Sequence, residues 1–174
     1  MNNLSLVLKK NSFPIILVLL LTVARLLPHP SNFTPILAVG VFAGFYFRNF
    51  ILSLFIVISS MFIGDLVIGF HSTMIFTYSS LILAVAIGLL IKKFNFKEIL
   101  FSGLSSSVVF FAVTNFGSWL TLEMYAKNFS GLLQSYFMAI PFFHNTVMST
   151  LIYLIVLKLL LEFSIKKKLI NISA

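Results

Sequence analysis

The chain of 174 residues contains no cysteine, and only four of its residues are aspartate or glutamate. The lack of cysteine excludes a disulfide, a thiolate nucleophile and a cysteine-ligated metal. The chain also lacks a Gly-x-Ser-x-Gly motif, a His-Glu-x-x-His motif and a phosphate-binding glycine-rich loop, which argues against an enzyme. We therefore expect no catalytic activity, no cofactor and no ATPase within this chain.

Charged residues are also scarce at 9%, whereas apolar residues make up 60% of the chain and the mean hydropathy is +1.10. The apolar residues form runs of about 14 to 22, and an α-helix needs about 20 residues to cross a lipid bilayer. The sequence predicts an all-α polytopic membrane protein, a compact bundle of six transmembrane helices in a single domain over residues 1–174. The predicted helices cover residues 13–27, 35–47, 50–70, 74–91, 99–120 and 142–163.

Prolines and glycines refine these boundaries. Residues 28–34 contain two prolines and precede Pro35, so we predict a structured loop there, because proline disfavours helix in the residue before it. Helix 2 is short, and its Gly40 and Gly44 favour close helix packing.

The last apolar region is too long for one straight span. Residues 132–163 contain Pro141, which lacks the backbone N–H that a helix interior needs. We therefore predict an amphipathic outer segment over residues 130–140, followed by a separate helix 6.

Lysine and arginine predict the orientation, because cytoplasmic loops carry an excess of both. With a cytoplasmic N-terminus, the cytoplasmic positions are Lys9, Lys10, Arg48, Lys92, Lys93, Lys97, Lys166, Lys167 and Lys168. The outer side receives Lys127, and Arg25 lies at the outer end of helix 1. We predict a bacterial inner membrane protein with both termini in the cytoplasm. The basic residues do not follow one soluble face, so no nucleic-acid partner is expected.

In this orientation the polar groups of the apolar segments gather in the outer half. The candidate ligand-binding residues are Arg25, His29, Asn32, Asp65, His71, Asn115, Trp119, His144 and Asn145. Asp65 is the strongest candidate, because a carboxylate in lipid costs up to about 3 kcal/mol unless it meets a partner or water. Its alternative role is an ion pair with Arg25 that joins helices 3 and 1.

The other candidates also have structural alternatives. Asn115 and Trp119 are four residues apart and share a face of helix 5, but an interhelical contact and an interfacial anchor would explain them equally. The three histidines lie on three different segments without the spacing of metal ligands, so no metal site is predicted.

Several motifs resemble a bacterial family of uncharacterised six-helix inner-membrane proteins over almost the whole chain. They are LPHPSNFTP (27–35), GD (64–65), GFH (69–71), TNFGSW (114–119) and PFFHNT (141–146). In size and helix layout this family resembles, more distantly, the S components of energy-coupling-factor (ECF) transporters. That resemblance implies a vitamin-like ligand near the outer face, a coupling membrane protein and separate ATPases. S components typically carry an Ala-x-x-x-Ala pattern on the first helix, which residues 13–27 lack.

Three functions remain open at this point. The first is a membrane transport subunit that binds a small solute at the outer face. The second is a structural or assembly protein, in which the outer polar groups only lock the bundle. The third is a metal-ion or proton-coupled carrier. An outer cavity lined by Asp65, Asn115 and His144 would favour the first, whereas polar side chains paired with one another would favour the second.

Overall fold

The computed structural model describes residues 16–166, and within this range the chain forms six helices. They are α1 (Ile16–Leu26), α2 (Ile36–Phe47), α3 (Phe50–Ile68), α4 (Met74–Leu90), α5 (Phe96–Thr121) and α6 (Phe129–Lys166). The all-α prediction is confirmed. Both termini, with Lys9, Lys10, Lys167 and Lys168, lie outside the described residues.

Three of these helices, α3, α5 and α6, are long and apolar enough to cross a membrane. Helices α1, α2 and α4 are apolar but shorter. Helix α2 has 12 residues and therefore rises about 18 Å, which is less than the thickness of the hydrocarbon layer. The predicted number of six helices is thus confirmed for residues 16–166, and three of the six have the length and hydropathy that a membrane span needs.

Asparagine caps set two of the helix starts. The side chain of Asn49 accepts a hydrogen bond from the Leu52 N–H, and that of Asn95 accepts one from the Glu98 N–H. Such caps satisfy N–H groups that the first turn of a helix leaves free. Helix α5 consequently begins three residues before its predicted start at position 99.

The region around Pro141 differs most from the prediction. The structure has one helix of 38 residues with Pro141 inside it, so the predicted break between an outer segment (130–140) and helix 6 (142–163) was wrong. Proline removes one hydrogen bond from a helix interior, and transmembrane helices tolerate this where neighbouring elements compensate.

Helix α5 supports α6 on both sides of that proline. On one side the Tyr136 hydroxyl donates to the Ala112 carbonyl oxygen at 2.9 Å. On the other side the rings of Phe143 and Phe111 lie with their centroids 4.7 Å apart. Both parts of α6 therefore pack against the same helix, on either side of Pro141.

Successive helices run in opposite directions. Ser53 at the start of α3 donates to the Ala43 carbonyl oxygen near the end of α2, at 2.9 Å. Phe76 at the start of α4 packs against Gly117 near the end of α5. The α1–α2, α3–α4 and α5–α6 connections therefore lie at one end of the bundle, and the exposed lysines of the α4–α5 connection lie at the other.

The end with those lysines, the closed half, is filled by apolar side chains. Its core is formed by buried residues of α2 to α6 and of the α4–α5 connection: Leu37, Ala38, Val41, Phe42, Val57, Met61, Leu81, Ala84, Val85, Ile91, Phe94, Ile99, Leu154 and Leu161. The other end, the open half, contains the α1–α2, α3–α4 and α5–α6 connections. Arg25 at the end of α1, His71 and Lys127 lie in this half.

Helices α2 and α4 pack with their backbones almost in contact. A Cβ atom added to Gly44 would lie 2.3 Å from the Val85 carbonyl oxygen, and one added to Gly88 would lie 2.0 Å from the Val41 carbonyl oxygen. Only glycine fits at such a distance, which confirms the close packing predicted for Gly44. At Gly40 the fit is looser, because an added Cβ would lie 3.5 Å from Ala84 Cβ.

Candidate functional site

A cavity of about 790 Å³ occupies the open half. Its volume lies within the range of about 300 to 1,000 Å³ that is typical of small-molecule sites. The polar residues of its wall are Arg25, His29, Ser31, Asn32, Thr34, His71, Thr73, Thr77, Thr114, Asn115, Ser118, Tyr125, Thr146, Ser149 and Thr150. The apolar part of the wall comes mainly from phenylalanine and methionine side chains of α3, α5 and α6.

The structure brings five of the nine predicted ligand-binding residues to this cavity. These five are Arg25, His29, Asn32, His71 and Asn115. The other four, Asp65, Trp119, His144 and Asn145, are not part of the described wall. Each of the four has a different position, and three of them make hydrogen bonds within the protein.

Asp65 is fully buried and bonded on both sides. One carboxylate oxygen accepts a hydrogen bond from Arg25 Nη2, and the other accepts one from the Tyr78 hydroxyl at 2.7 Å. The ion pair with Arg25, proposed from the sequence as the alternative role of Asp65, is present, and Tyr78 adds a partner that the sequence analysis missed. These three side chains join α1, α3 and α4 at the base of the cavity.

The Arg25 side chain has room because of the residue next to Asp65. A Cβ atom on Gly64 would lie 2.7 Å from Arg25 Cδ and 2.8 Å from Arg25 Nε. Arg25 Nη1 donates to the Met61 sulfur at 3.0 Å, and Arg25 Nε is buried without a hydrogen-bond partner. Arg25 lines the cavity and Asp65 does not, so the guanidinium of the wall is paired with a counter-ion that lies behind it.

The loop between α1 and α2, which the prolines predicted to be structured, is hydrogen-bonded to α6. Asn145 Nδ2 donates to the Ser31 carbonyl oxygen at 3.0 Å, and Ser149 Oγ donates to the Asn32 carbonyl oxygen at 3.3 Å. Asn32 itself has a positive φ of 62°, a conformation that asparagine adopts more readily than most residues. Asn145 therefore holds the loop that forms one side of the cavity.

His29 also belongs to this loop. Its Nδ1 lies 2.9 Å from the Pro30 carbonyl oxygen, and its Nε2 lies 3.3 Å from the Arg25 carbonyl oxygen. His71, on the α3–α4 connection, has its Nδ1 2.8 Å from Thr73 Oγ1. Both side chains are thus attached to the rim, where they are exposed.

Trp119 stabilises the α5–α6 connection. Its indole Nε1 donates to the Ala126 carbonyl oxygen at 2.9 Å. Lys127 Nζ donates to the carbonyl oxygens of Leu122 and Trp119, which are free at the end of α5. Trp119 therefore fixes the connection, and His144 lies exposed on α6 outside the described wall.

Hydroxyl groups are the part of the site that the sequence analysis missed. Nine serine and threonine residues line the cavity: Ser31, Thr34, Thr73, Thr77, Thr114, Ser118, Thr146, Ser149 and Thr150. Several of them are four residues apart on one helix and so share a face, as in the pairs Thr114 with Ser118 and Thr146 with Thr150. This spacing is the signal in the sequence that identifies them.

Within residues 16–166, no group of three or more histidine, aspartate or glutamate side chains is placed to hold a metal ion. His29 and His71 lie at the rim on different connections, and Asp65 is bonded to Arg25 and Tyr78. The described residues therefore offer hydrogen bonds and one guanidinium to a bound molecule.

The chain belongs to a family of unknown function, DUF6580, whose model matches residues 7–171. This agrees with the resemblance to an uncharacterised family. Comparison with curated proteins and with solved structures gives no match, so the more distant likeness to ECF S components is not supported by a relative.

Proposed function

We propose that this DUF6580 protein is a membrane transport subunit that binds a small, vitamin-like solute in the cavity of its open half. The main support is the cavity of about 790 Å³. Its wall combines many hydrogen-bonding side chains with aromatic ones, as ligand sites do. Arg25 and Asn115 are the two predicted residues that contribute to the wall from helices α1 and α5.

The proposal includes six spans in a bacterial inner membrane. Helix α2 is short, but all residues from Leu37 to Gly44 are buried by other helices. A helix that is surrounded by protein does not need the full length of a lipid-exposed span. The exposed Lys92 and Lys93 then face the cytoplasm, together with both termini, and the cavity faces outward.

Active transport by this chain needs an external source of energy, since the sequence has no phosphate-binding glycine-rich loop. A coupling membrane protein with separate ATPases, as in ECF transporters, is the partner that we propose. An ion gradient is the alternative source.

The experiment is to purify the protein in detergent and to identify any co-purified small molecule by mass spectrometry. A panel of vitamins, nucleobases and amino acids is then tested for an increase in the melting temperature. Thr114→Trp fills the cavity and should abolish that increase. Val108→Trp, on the exposed side of the same helix, is the control and should retain it. A protein that is empty and that no compound stabilises would contradict the proposal.

A structural role is the second candidate, and one observation favours it. The Arg25, Asp65 and Tyr78 side chains are bonded to one another, as a lock between three helices would be. In that case Thr114→Trp would leave the biological function intact, since the cavity would have no role.

A further inference from the structure

Thr150 is a polar residue in the interior of the bundle whose hydroxyl has no partner. The residue has 0% exposure, and its Oγ1 makes no hydrogen bond and is closed to water. Leaving a buried hydroxyl unpaired is unfavourable. Thr150 also belongs to the residues that line the cavity, so a bound molecule is a source of the missing hydrogen bond once the hydroxyl is turned toward it.

Thr150 differs from the neighbouring hydroxyl residues of α6. A threonine in a helix usually donates to the carbonyl oxygen four residues before it, as Thr146 does to Phe142 at 2.9 Å. For Thr150 that acceptor would be the Thr146 carbonyl oxygen, but Thr150 Oγ1 makes no hydrogen bond. Among the hydroxyl residues of α6 that line the cavity, Thr150 is therefore the one whose hydroxyl is unpaired.

The other hydroxyls on the helices have used their protons. Thr114 donates to the Phe110 carbonyl oxygen at 2.7 Å, and Ser118 donates to the Thr114 carbonyl oxygen at 3.0 Å. Asn115 likewise spends a side-chain N–H on the Phe111 carbonyl oxygen at 2.7 Å. The two hydroxyl groups now offer only oxygen lone pairs, and Asn115 keeps its carbonyl oxygen and one N–H, so a matching ligand supplies N–H or O–H donors.

The charges of the wall restrict the ligand further. The described wall contains no aspartate, glutamate or lysine, and its one arginine is paired with Asp65. A cationic ligand would find no counter-ion, and an anionic one would meet a guanidinium that is already neutralised. Burying either charge without a partner is unfavourable, so an uncharged molecule fits best.

We infer that the cavity takes an uncharged ligand with N–H or O–H donors, of the amide or lactam class, and that Thr150 Oγ1 is hydrogen-bonded to it. This inference rests on the proposed function. Threonine uses two χ1 rotamers in helices, so a rotation about the Cα–Cβ bond can turn the hydroxyl toward a bound molecule. Thr150 is then a binding residue beyond the nine that the sequence predicted.

Four benzene derivatives of similar size test the ligand class on the purified full chain. Benzamide is neutral with N–H donors, N,N-dimethylbenzamide is neutral without them, benzoate is an anion and benzamidine is a cation. We expect benzamide to bind about tenfold more tightly than each of the others, as the loss of a hydrogen bond or the burial of an unpaired charge predicts. Binding is measured by calorimetry and by the shift in melting temperature.

Two variants test the role of Thr150 itself. Thr150→Val keeps the shape but removes the hydroxyl, so it should weaken benzamide binding about tenfold and should raise the melting temperature of the empty protein. Thr150→Ser keeps the hydroxyl and should retain benzamide binding. Thr146→Val is the control for stability, because its hydroxyl is bonded and its loss should lower the melting temperature of the empty protein.

The outcomes separate this inference from the proposed function. Tightest binding of benzoate or benzamidine would overturn the ligand class while leaving a binding site in place. Equal binding of benzamide to Thr150→Val and to the natural chain would overturn the role of Thr150. If a compound of the vitamin panel binds but none of the four benzene derivatives does, the inferred ligand class is wrong and the proposed function stands. If no compound of either set binds, the inference and the proposed function are both wrong.

Discussion

The closed and open halves of this bundle are built from the same helices but pack in opposite ways. In the closed half, Gly44 and Gly88 bring α2 and α4 into backbone contact, and Leu81 and Leu154 are fully buried. In the open half, phenylalanines and hydroxyl residues surround a cavity of about 790 Å³. The difference shows that small and aliphatic residues pack one end of the bundle tightly. The helices can therefore surround a polar cavity at the other end.

A hydrogen-bonded ion pair marks the boundary between the two halves. Arg25, Asp65 and Tyr78 link three helices directly above Met61, which belongs to the closed core. A carboxylate at this depth is stable only with such partners. The polar network therefore ends the apolar core and begins the cavity.

The largest effect is expected from breaking that boundary. Asp65→Asn leaves the Arg25 guanidinium without its counter-ion, and removing one partner of a buried ion pair costs about 3 to 5 kcal/mol. The free energy of unfolding in detergent measures this loss. Glu123→Gln, an exposed acid on the α5–α6 connection, is the control and should change stability by less than about 0.5 kcal/mol. Equal effects of the two substitutions would show that the network does not stabilise the bundle.

A matched pair of truncations on α6 compares the two halves directly. Leu154→Ala removes a side chain with 0% exposure and should cost about 2 to 4 kcal/mol, because it leaves a cavity in a packed core. Phe142→Ala truncates a residue with 44% exposure beside the existing cavity, and it should cost about 1 kcal/mol or less. Thermal unfolding in detergent gives both values, and the reverse order would contradict the division into halves.

The glycines of the closed half provide a smaller and sharper test. Gly88→Ala places a methyl group 2.0 Å from the Val41 carbonyl oxygen and should destabilise the protein by about 2 kcal/mol. Gly40→Ala meets Ala84 at 3.5 Å, so it should be neutral or stabilise by up to about 1 kcal/mol. Both are read from the melting temperature. If Gly88→Ala is tolerated as well as Gly40→Ala, the backbones of α2 and α4 are not in contact.

The sequence predicted a helix start well where the apolar run begins directly after the capping residue, as in α3, and less well where it begins later, as in α5. It predicted the structured proline loop, the close packing at Gly44 and, as the alternative role of Asp65, the ion pair with Arg25. These predictions were possible because a glycine, a proline or a charge in an apolar chain is compatible with few structural roles. It was wrong about Pro141, since the support that α5 gives to both sides of that residue is a tertiary effect.

The site was predicted less completely, for a physical reason. Arg25 and Asn115 were identified because such groups are costly in an apolar helix. The threonines were missed because a helical hydroxyl usually bonds its own backbone, so the sequence does not distinguish Thr150, whose hydroxyl is unpaired, from Thr146, whose hydroxyl is bonded. Trp119 and Asn145 were also predicted to bind the ligand, and the structure shows their hydrogen bonds to the loops around the cavity.

The most direct test of the two-ended arrangement uses single cysteines in a chain that has none of its own. Cysteine is introduced in place of His71 at the cavity rim or of Lys93 at the opposite end, and intact cells are treated with a membrane-impermeant maleimide. We predict that position 71 reacts in intact cells and that position 93 reacts only after permeabilisation. Protection of position 71 with reaction of position 93 in intact cells would contradict an outward-facing cavity.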